Sequence, residues 1–305
     1  MIAAQTLRNI ERSMSRLDEY NRRLSTGKQI GLPSDDPTGA ELTLRLRRAL
    51  VETERYIENI DAAIAWINMT EAALGQATSA MQRARELAVA GATGTNTADS
   101  YIALAAEVEQ LLDDLVQVGN SKFGERYLFG GTNTLTAPFE AVRGPDGIVS
   151  VEYKGSPGSE AETASLYREI GPGDVLRVSV HGDTALKPAI DALIELRDAL
   201  RRGDPAAISG GSAAGGGTSV LEKIDRAMEA LLTARSEAGA RFNRLELARH
   251  RLEETQLSLK QLDSLRTDVD LAETIMNLKM EEYVYQAALA SGARILQVSL
   301  VDFLR

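Results

Sequence analysis

The chain has 305 residues, a net charge of −10 at pH 7 and no cysteine. Its length suffices for two or three domains, its acidic excess argues against nucleic acid as a main partner, and the missing cysteines exclude disulfide bridges and thiolate metal sites. Aromatic residues make up only 5% of the chain against 44% hydrophobic residues, which favours helices packed side by side over a core with a deep pocket.

Proline placement divides the chain into two helical tracts and a broken middle. The prolines stand at positions 33, 37, 138, 145, 157, 172, 188 and 205. Residues 38–137 and 206–305 contain none, and both tracts show helical periodicity. An internal proline would destabilise such a helix by about 3 kcal/mol. The sequence therefore predicts a mainly α fold, a long coiled-coil-like rod formed by its N- and C-terminal segments.

The first predicted helix covers about residues 3–27, with apolar side chains at a spacing of three and four. They are Ala3, Leu7, Ile10, Met14, Leu17 and Leu24. Gly27 is placed to end this helix, because glycine readily adopts the left-handed conformation found just past a helix end. Asp36 is predicted to cap the next helix and Pro37 to take its first position. Asp35 and Asp36 could form a carboxylate pair, but no nearby residue supplies a partner.

A long helix of about 38–90 follows, and its seam keeps the 3-4 alternation typical of coiled-coil packing. The seam consists of Tyr56, Ile60, Ala63, Ile67, Thr70, Leu74, Ala77, Met81, Ala84 and Ala88. After a turn at 91–98, another helix should run to about residue 119. Residues 122–139 are predicted to form a β-hairpin that turns at Gly130-Gly131.

Residues 140–185 lose the helical period, and two alternating segments, Ile148–Tyr153 and Val175–Val180, predict a small β-containing insert. A helix of about 186–202 and a glycine-rich loop follow. The last helix should run from about 220 to 300. Its seam is Leu221, Ile224, Met228, Leu231, Arg235, Ala238, Phe242 and Leu245, then Leu252, Leu259, Leu262, Val269, Met276, Met280 and Tyr283. Arg266 and Glu273 interrupt this seam, which predicts a break in register around 268–270.

No residue cluster meets the demands of catalysis or of a metal site. His181 and His250 are too few for a histidine-built metal centre, and a lone histidine in a β insert is usually structural. Asp268 and Asp270 lack the glycine and distal glutamate of a calcium loop. No stretch reaches the length of a membrane span, and charged residues interrupt every apolar run near the N-terminus. We therefore expect no enzyme and no cofactor.

The two ends of the chain have too little to bury alone. Fixing a backbone costs about 1–2 kcal/mol per residue, whereas each seam side chain regains at most about 1.5–3 kcal/mol on burial. We therefore expect residues 1–37 plus 266–305 to form a terminal assembly domain, mobile in the monomer. Residues 38–139 plus 186–265 should form a helical rod with the hairpin 122–139, and residues 140–185 a β-rich outer domain.

Several motifs, in order along the chain, resemble the family of bacterial flagellins and hook–filament junction proteins. The segment Leu24–Ile30, followed by Ser34–Pro37, is similar to the family's L-S-[ST]-G-[KL]-x-I…x-D-D-[PA] motif. Gly94–Thr97, Arg126–Thr134 and the closing Leu296–Leu304 are also similar to family segments.

The resemblance implies a structural subunit of the bacterial flagellum that joins hook to filament outside the cell. It implies export without a cleaved signal peptide, through the type III channel, with a cytoplasmic chaperone on the C-terminal region. Implied partners are other copies of the chain in a ring, hook-associated protein 1 and flagellin, with neither nucleic acid nor membrane. The implied assembly interface comprises Leu7, Ile10, Met14, Leu17, Leu24, Leu289, Leu296, Leu300 and Phe303. Its five N-terminal members are expected to pack on the C-terminal helix, on the face that bears Leu289, Leu296 and Leu300. The family motif comprises Gly27, Asp35, Asp36 and Pro37.

Three alternatives stay open. A minor filament flagellin belongs to the same class and should extend filaments from seeds, which a junction protein should not. A coiled-coil adaptor or signalling rod should be a stable dimer with ordered ends, and this hypothesis leaves the terminal motifs unexplained. An enzyme would need a polar pocket in the β insert, for which His181 and Asp183 are thin support.

Overall fold

The computed structural model describes residues 2–29, 36–145, 147–158, 163–210 and 218–303, with side chains from 5 to 293. The chain is mainly α-helical, as predicted. The helices are α1 Ile2–Thr26, α2 Pro37–Ala92, α3 Ala98–Gly119, α4 Gly182–Ala185, α5 Lys187–Arg202, α6 Pro205–Ser209, α7 Val220–Thr267 and α8 Leu271–Phe303. The strands are β1 Lys122–Phe123, β2 Arg126–Tyr127, β3 Phe139–Gly144, β4 Gly147–Tyr153, β5 Tyr167–Gly171 and β6 Asp174–Arg177.

The chain divides into two compact units. The terminal unit contains residues 1–54 and 253–305, and the central unit contains residues 55–252. The predicted terminal domain, 1–37 plus 266–305, lies inside the terminal unit. The division falls within α2 and α7, whereas the sequence-based boundaries were placed at helix ends. The β insert, 140–185, falls in the central unit together with the helices that it packs against.

The central unit holds a continuous apolar core. Every residue of the predicted α2 seam from Tyr56 to Ala88 is buried, so the 3-4 spacing identified the covered face of this helix correctly. Leu112 and Leu115 of α3, and Leu193 and Leu196 of α5, are fully buried in the same cluster. Thr97 accepts a hydrogen bond from the amide of Ser100 and thereby caps the start of α3.

Residues 122–139 contain the predicted turn at Gly130-Gly131 and an earlier turn that the sequence analysis missed. β1 and β2 pair antiparallel, with Phe123 opposite Arg126. The turn between them contains Gly124, whose φ of +60° lies in the left-handed region that glycine favours. Phe129, expected in a strand, is fully buried in the core. Gly130 begins the predicted turn, since its carbonyl accepts the amide of Asn133 at 3.1 Å and Gly131 has φ of +64°, and Gly130 also bridges to His181. Sequence reasoning thus located the second turn and missed the first, because Gly-Gly is the stronger turn motif.

The β insert consists of two further antiparallel ladders rather than one sheet. β3 pairs with β4, and β5 pairs with β6. Fully buried Ile148 and Ile170 place one face of each ladder in the central core. Because each ladder has only two strands, this packing is what stabilises it.

A buried ion-pair cluster attaches β4 to α3 and α5. Arg197 of α5 is 4% exposed and donates from Nη1 to Glu109 Oε2 of α3 at 2.9 Å. The same nitrogen donates to the carbonyl of Ile148, while Glu109 Oε1 accepts the Ile148 amide at 2.8 Å. Asp198 Oδ1 accepts a further bond from Arg197 Nε at 2.9 Å. Three elements therefore depend on one guanidinium group.

His181 has the structural role that the sequence suggested. It is 5% exposed. Its Nδ1 lies 3.0 Å from the carbonyl oxygen of Ser156 and its Nε2 lies 2.8 Å from Ser165 Oγ. A carbonyl can only accept, so Nδ1 donates to it, and in the neutral ring Nε2 then accepts from the serine hydroxyl. Both ring nitrogens thus link segments of the insert.

Candidate assembly surface

Within the terminal unit, α1 and α8 pair along their lengths in antiparallel fashion. Contacts such as Ser13 with Glu281 and Lys28 with Asp268 fix the direction. The covered row on α1 is Thr6, Ile10, Ser13, Leu17, Tyr20 and Leu24. The covered row on α8 is Thr274, Leu278, Glu281, Tyr285, Ala288 and Gly292. Both rows alternate steps of four and three, which is the seam of a coiled coil.

A polar layer lies at the middle of this pair. Ser13 is 1% exposed, and its hydroxyl donates to Glu281 Oε1. Arg16 Nη2 binds the same oxygen at 2.8 Å. Hydrogen bonds from Arg16 and then Ser13 lower the pKa of Glu281. A buried polar group in an apolar seam is satisfied in one alignment only, so this layer favours a single register of α1 against α8.

Near the end of the described side chains, the two helices approach closely at Gly292. A Cβ atom added there would lie 3.2 Å from Thr6 Cγ2 and 3.5 Å from Ile10 Cδ1. Thr6 would have to shift by a few tenths of an ångström to accommodate it. Glycine at this position therefore allows close approach of the two backbones.

The end of α1 is bonded to the break between α7 and α8. Gly27, with φ of +66°, ends α1 as predicted, and its carbonyl accepts the amide of Val269 at 3.1 Å. The amide of Gln29 donates to the carbonyl of Thr267 at 2.7 Å. Lys28 Nζ binds Asp268 Oδ1 at 2.6 Å. The predicted interruption at 268–270 is thus confirmed, and both chain segments break at the same level.

Asp268 gains its cationic partner, Lys28, only in this arrangement. Lys28 and then Ser264 lower the pKa of Asp268 to about 2, from an ordinary 3.8. A lowered carboxyl pKa means that the interaction stabilises the fold above about pH 4 and is lost as pH falls toward 2. We predict an Asp268 titration midpoint near 2 by carboxyl-carbon NMR. In Lys28→Gln the midpoint should rise toward 3.8, and a midpoint unchanged by that substitution would contradict the assigned cause.

The start of α2 shows the cap geometry expected from Asp36-Pro37. Asp36 Oδ1 accepts the amide of Gly39 at 2.9 Å, and Pro37 is the first helical residue. Proline is tolerated there because its missing N–H would have had no helical partner. Asp35 lies outside the described residues.

The structure divides the predicted interface residues into two groups and corrects their expected packing. Ile10, Leu17 and Leu24 lie half-buried in the covered row on α1. Leu7 and Met14, expected against the C-terminal helix, are 59% and 53% exposed. Leu289 of α8, also expected in that contact, is 44% exposed. The side chains of Leu296, Leu300 and Phe303 lie outside the described part.

The same correction applies to the late C-terminal seam. Met276, Met280 and Tyr283 were predicted to be covered, yet they are 66%, 62% and 73% exposed. Each covered residue lies two positions earlier in the sequence than the predicted one, at Thr274, Leu278 and Glu281. A search for apolar residues alone selects the uncovered rows, because the covered rows contain Ser13, Thr274, Glu281 and Gly292. Only the strict 3-4 spacing, with polar residues included, could have identified the covered row from the sequence.

The terminal unit has no apolar core of its own among its described residues. The side chains buried there are Ser13, Thr43, Thr53, Thr267 and Thr274, all of them polar. By contrast, large apolar residues are exposed along all four helices that contribute to it. They are Leu7, Met14, Leu42, Leu44, Val51, Leu257, Leu262, Leu265, Leu271, Ile275, Met276, Met280, Tyr283, Val284 and Leu289. Extensive exposed apolar surface marks a site of association.

Two searches of the described residues gave negative results. None of their helices combines the length and apolar character that a bilayer crossing requires. In the same part of the chain, no group of three or more histidine or acidic side chains is arranged to hold a metal ion.

The fold is therefore that of a helical protein whose paired terminal helices carry an uncovered apolar surface. The family model for the bacterial flagellin N-terminal helical region matches residues 1–134, and the model for the C-terminal helical region matches residues 221–304. The chain belongs to the bacterial flagellin family.

Curated relatives cover nearly the whole chain. It is 28% identical to flagellar hook-associated protein 3 of Escherichia coli, over 94% of this chain and 93% of that protein. It is 24% identical to flagellin FlaB1 of Treponema pallidum, over 93% and 90%.

Solved structures share the fold. A flagellar hook-associated protein from Vibrio parahaemolyticus matches with a TM-score of 0.61 and 18% identity, over 76% of this chain and 99% of that one. FlgL from Bacillus cereus matches with a TM-score of 0.58 and 21% identity, over 72% and 99%.

Proposed function

We propose that this chain is a structural subunit of the junction between flagellar hook and filament. The uncovered apolar surface of the terminal unit carries the proposal. The fully buried side chains of the described unit are polar, and its described exterior is rich in leucine and methionine. Such a unit gains stability by association, because burying each exposed apolar side chain contributes about 1.5–3 kcal/mol.

The proposed place at the hook–filament junction is supported by the similarity of this chain to its relatives. The chain is similar to hook-associated protein 3 along almost its full length, and that relative is named for the hook. In this proposal other copies of the chain form a ring, with hook-associated protein 1 on one side and flagellin on the other. The chain leaves the cell through the flagellar export channel without a cleaved signal, escorted by a chaperone at its C-terminal region. Its terminal helices, including Leu296, Leu300 and Phe303, become fixed on assembly.

Met14→Asp is the direct test of the association surface. Met14 is exposed on α1, so aspartate there should leave the monomer folded but place a charge inside the assembled contact, where an unpaired charge is strongly unfavourable. We expect incorporation into flagella to fall at least tenfold, as measured by immunoblot of sheared flagella. Ser15→Asp, at the adjacent exposed position, adds the same charge and should assemble normally. Equal incorporation of both variants would refute the proposed surface.

The second candidate, a minor filament flagellin, is favoured by the match to flagellin FlaB1 over 93% of the chain. Adding the purified chain to filament seeds separates the two roles. Flagellin should extend the seeds into long filaments, whereas a junction subunit should add a short cap and stop. The adaptor hypothesis predicts a soluble dimer whose ends are protected from amide exchange, and it ranks below both.

A further inference from the structure

A second surface lies in the central unit, at a cavity of about 370 Å³ between α2, the β1–β2 hairpin and the β5–β6 ladder. Trp66, the single tryptophan of the chain, forms part of its wall. Phe123 packs edge-on against Trp66 with ring centroids 6.0 Å apart. Leu166 and Val178 complete an apolar floor. The volume is at the small end of the usual range of about 300–1,000 Å³ for ligand sites, which suits one or two side chains better than a large cofactor.

Charged groups of both signs line this cavity, with cations in excess. Arg126 of β2 and Arg168 of β5 both line it and are both exposed. Among the described residues, neither guanidinium takes part in an ion pair or a side-chain hydrogen bond, although most other arginines of the central unit do. Glu125 is the one acidic residue in the lining, and it too has no such partner in the described part of the chain.

The chemistry of two unpaired arginines beside an aromatic wall suits a carboxylate ligand. A guanidinium presents N–H donors in a planar fork that matches the two oxygens of a carboxylate, and it does so better than a lysine would. The apolar floor can cover the methylene groups of a glutamate side chain while the arginines bind its head. The carboxylate of Glu125 repels such a ligand and therefore keeps its affinity for the cavity moderate.

We propose that this cavity binds an acidic segment of a neighbouring protein in the assembly. Charge complementarity supports a protein segment as the occupant. The chain itself carries 44 acidic against 34 basic residues, so a neighbour of similar composition offers many carboxylates. The inference rests on the proposed function for the presence of neighbours, but the site lies in the central unit, separate in sequence from the terminal association surface.

Fluorescence of Trp66 tests the site in the purified full-length chain, because no other tryptophan contributes. The probe is the peptide acetyl-Gly-Glu-Glu-Gly-amide, and the matched control is acetyl-Gly-Gln-Gln-Gly-amide. We expect a saturable change in Trp66 emission with the first peptide only. Arg126→Gln and Arg168→Gln should each weaken binding at least fivefold, and Glu125→Gln should strengthen it severalfold. Circular dichroism of each variant should match the parent, since these side chains are exposed.

Three results would overturn the proposal. They are no saturable response to the glutamate peptide, an equal response to the glutamine peptide, and an equal response to acetate at the same carboxylate concentration. The last would mean a general small-anion site rather than a site for a protein segment. None of these results bears on the terminal surface, whose failure would instead appear as normal assembly of Met14→Asp.

Discussion

Replacing Arg197 by alanine should destabilise the central unit by about 3–5 kcal/mol, the effect expected when one partner of a buried ion pair is removed. Glu109 is only 18% exposed, so the substitution leaves a largely buried carboxylate without its main cation. It also leaves the Ile148 carbonyl without its guanidinium donor. Urea unfolding followed by circular dichroism measures the change. Because β4 is bound to the helices through these groups, its amides should lose exchange protection first.

Arg201→Ala is the matched control for this prediction. Arg201 also faces Glu109, but at 3.5 Å and with 36% of its side chain exposed. Pairs of this kind contribute about 0–1 kcal/mol, so the control should unfold close to the parent. A double-mutant cycle with Glu109→Gln then isolates the pairwise energy. Similar destabilisation by Arg197→Ala and Arg201→Ala would show that burial does not decide the strength of this cluster.

Leu17→Asp should separate α1 from α8 and block assembly while the central unit stays folded. Leu17 is half-buried in the covered row, next to the layer that contains Ser13 and Glu281. Losing half of a leucine's burial costs about 1 kcal/mol, and the new carboxylate also repels Glu281. An isolated terminal helix is marginal, so this loss should be enough to release it. We expect incorporation into flagella to fall at least tenfold, with the thermal transition of the central unit unchanged.

Asn21→Asp adds the same charge at an exposed position of α1 and should behave as the parent does. Amide exchange of the monomer distinguishes Leu17→Asp from Met14→Asp, because only the first should increase exchange in α1 and α8. Normal flagella from Leu17→Asp would show that the observed pairing of α1 with α8 is dispensable for assembly. We also expect the outermost residues of the parent monomer to exchange faster than the central helices.

Sequence periodicity predicted the central helices well because their covered faces are apolar. Along α2, every seam position from Tyr56 to Ala88 is buried. The proline-free tracts, the glycine at position 27 and the interruption at 268–270 also correspond to observed features. In each case a local rule, such as helix capping or the missing N–H of proline, acts without competition from distant residues.

The same approach failed where distant contacts decide the outcome. The sequence located the turn at Gly130-Gly131 but missed the one at Gly124, because burial of Phe129 and the bridge from Gly130 to His181 take the segment after Tyr127 out of the paired strands. The covered row of α1 and α8 includes Ser13 and Glu281, whose bonding no hydrophobic pattern reveals. The cavity beside Trp66 brings together residues from three elements, and no sequence motif marks it.

The coincident breaks at Gly27 and at 268–270 have a mechanical consequence. The helical hydrogen bonding of both chain segments is interrupted at the same level. The two interruptions are joined through the Gly27 carbonyl, the Gln29 amide and the Lys28 ammonium group. This segment can therefore act as a hinge under a bending load, because α1 and α8 can tilt together without breaking a hydrogen bond inside either helix. One exposed lysine–aspartate pair contributes to its stiffness beside the two backbone hydrogen bonds, so the joint should soften in strong acid or high salt.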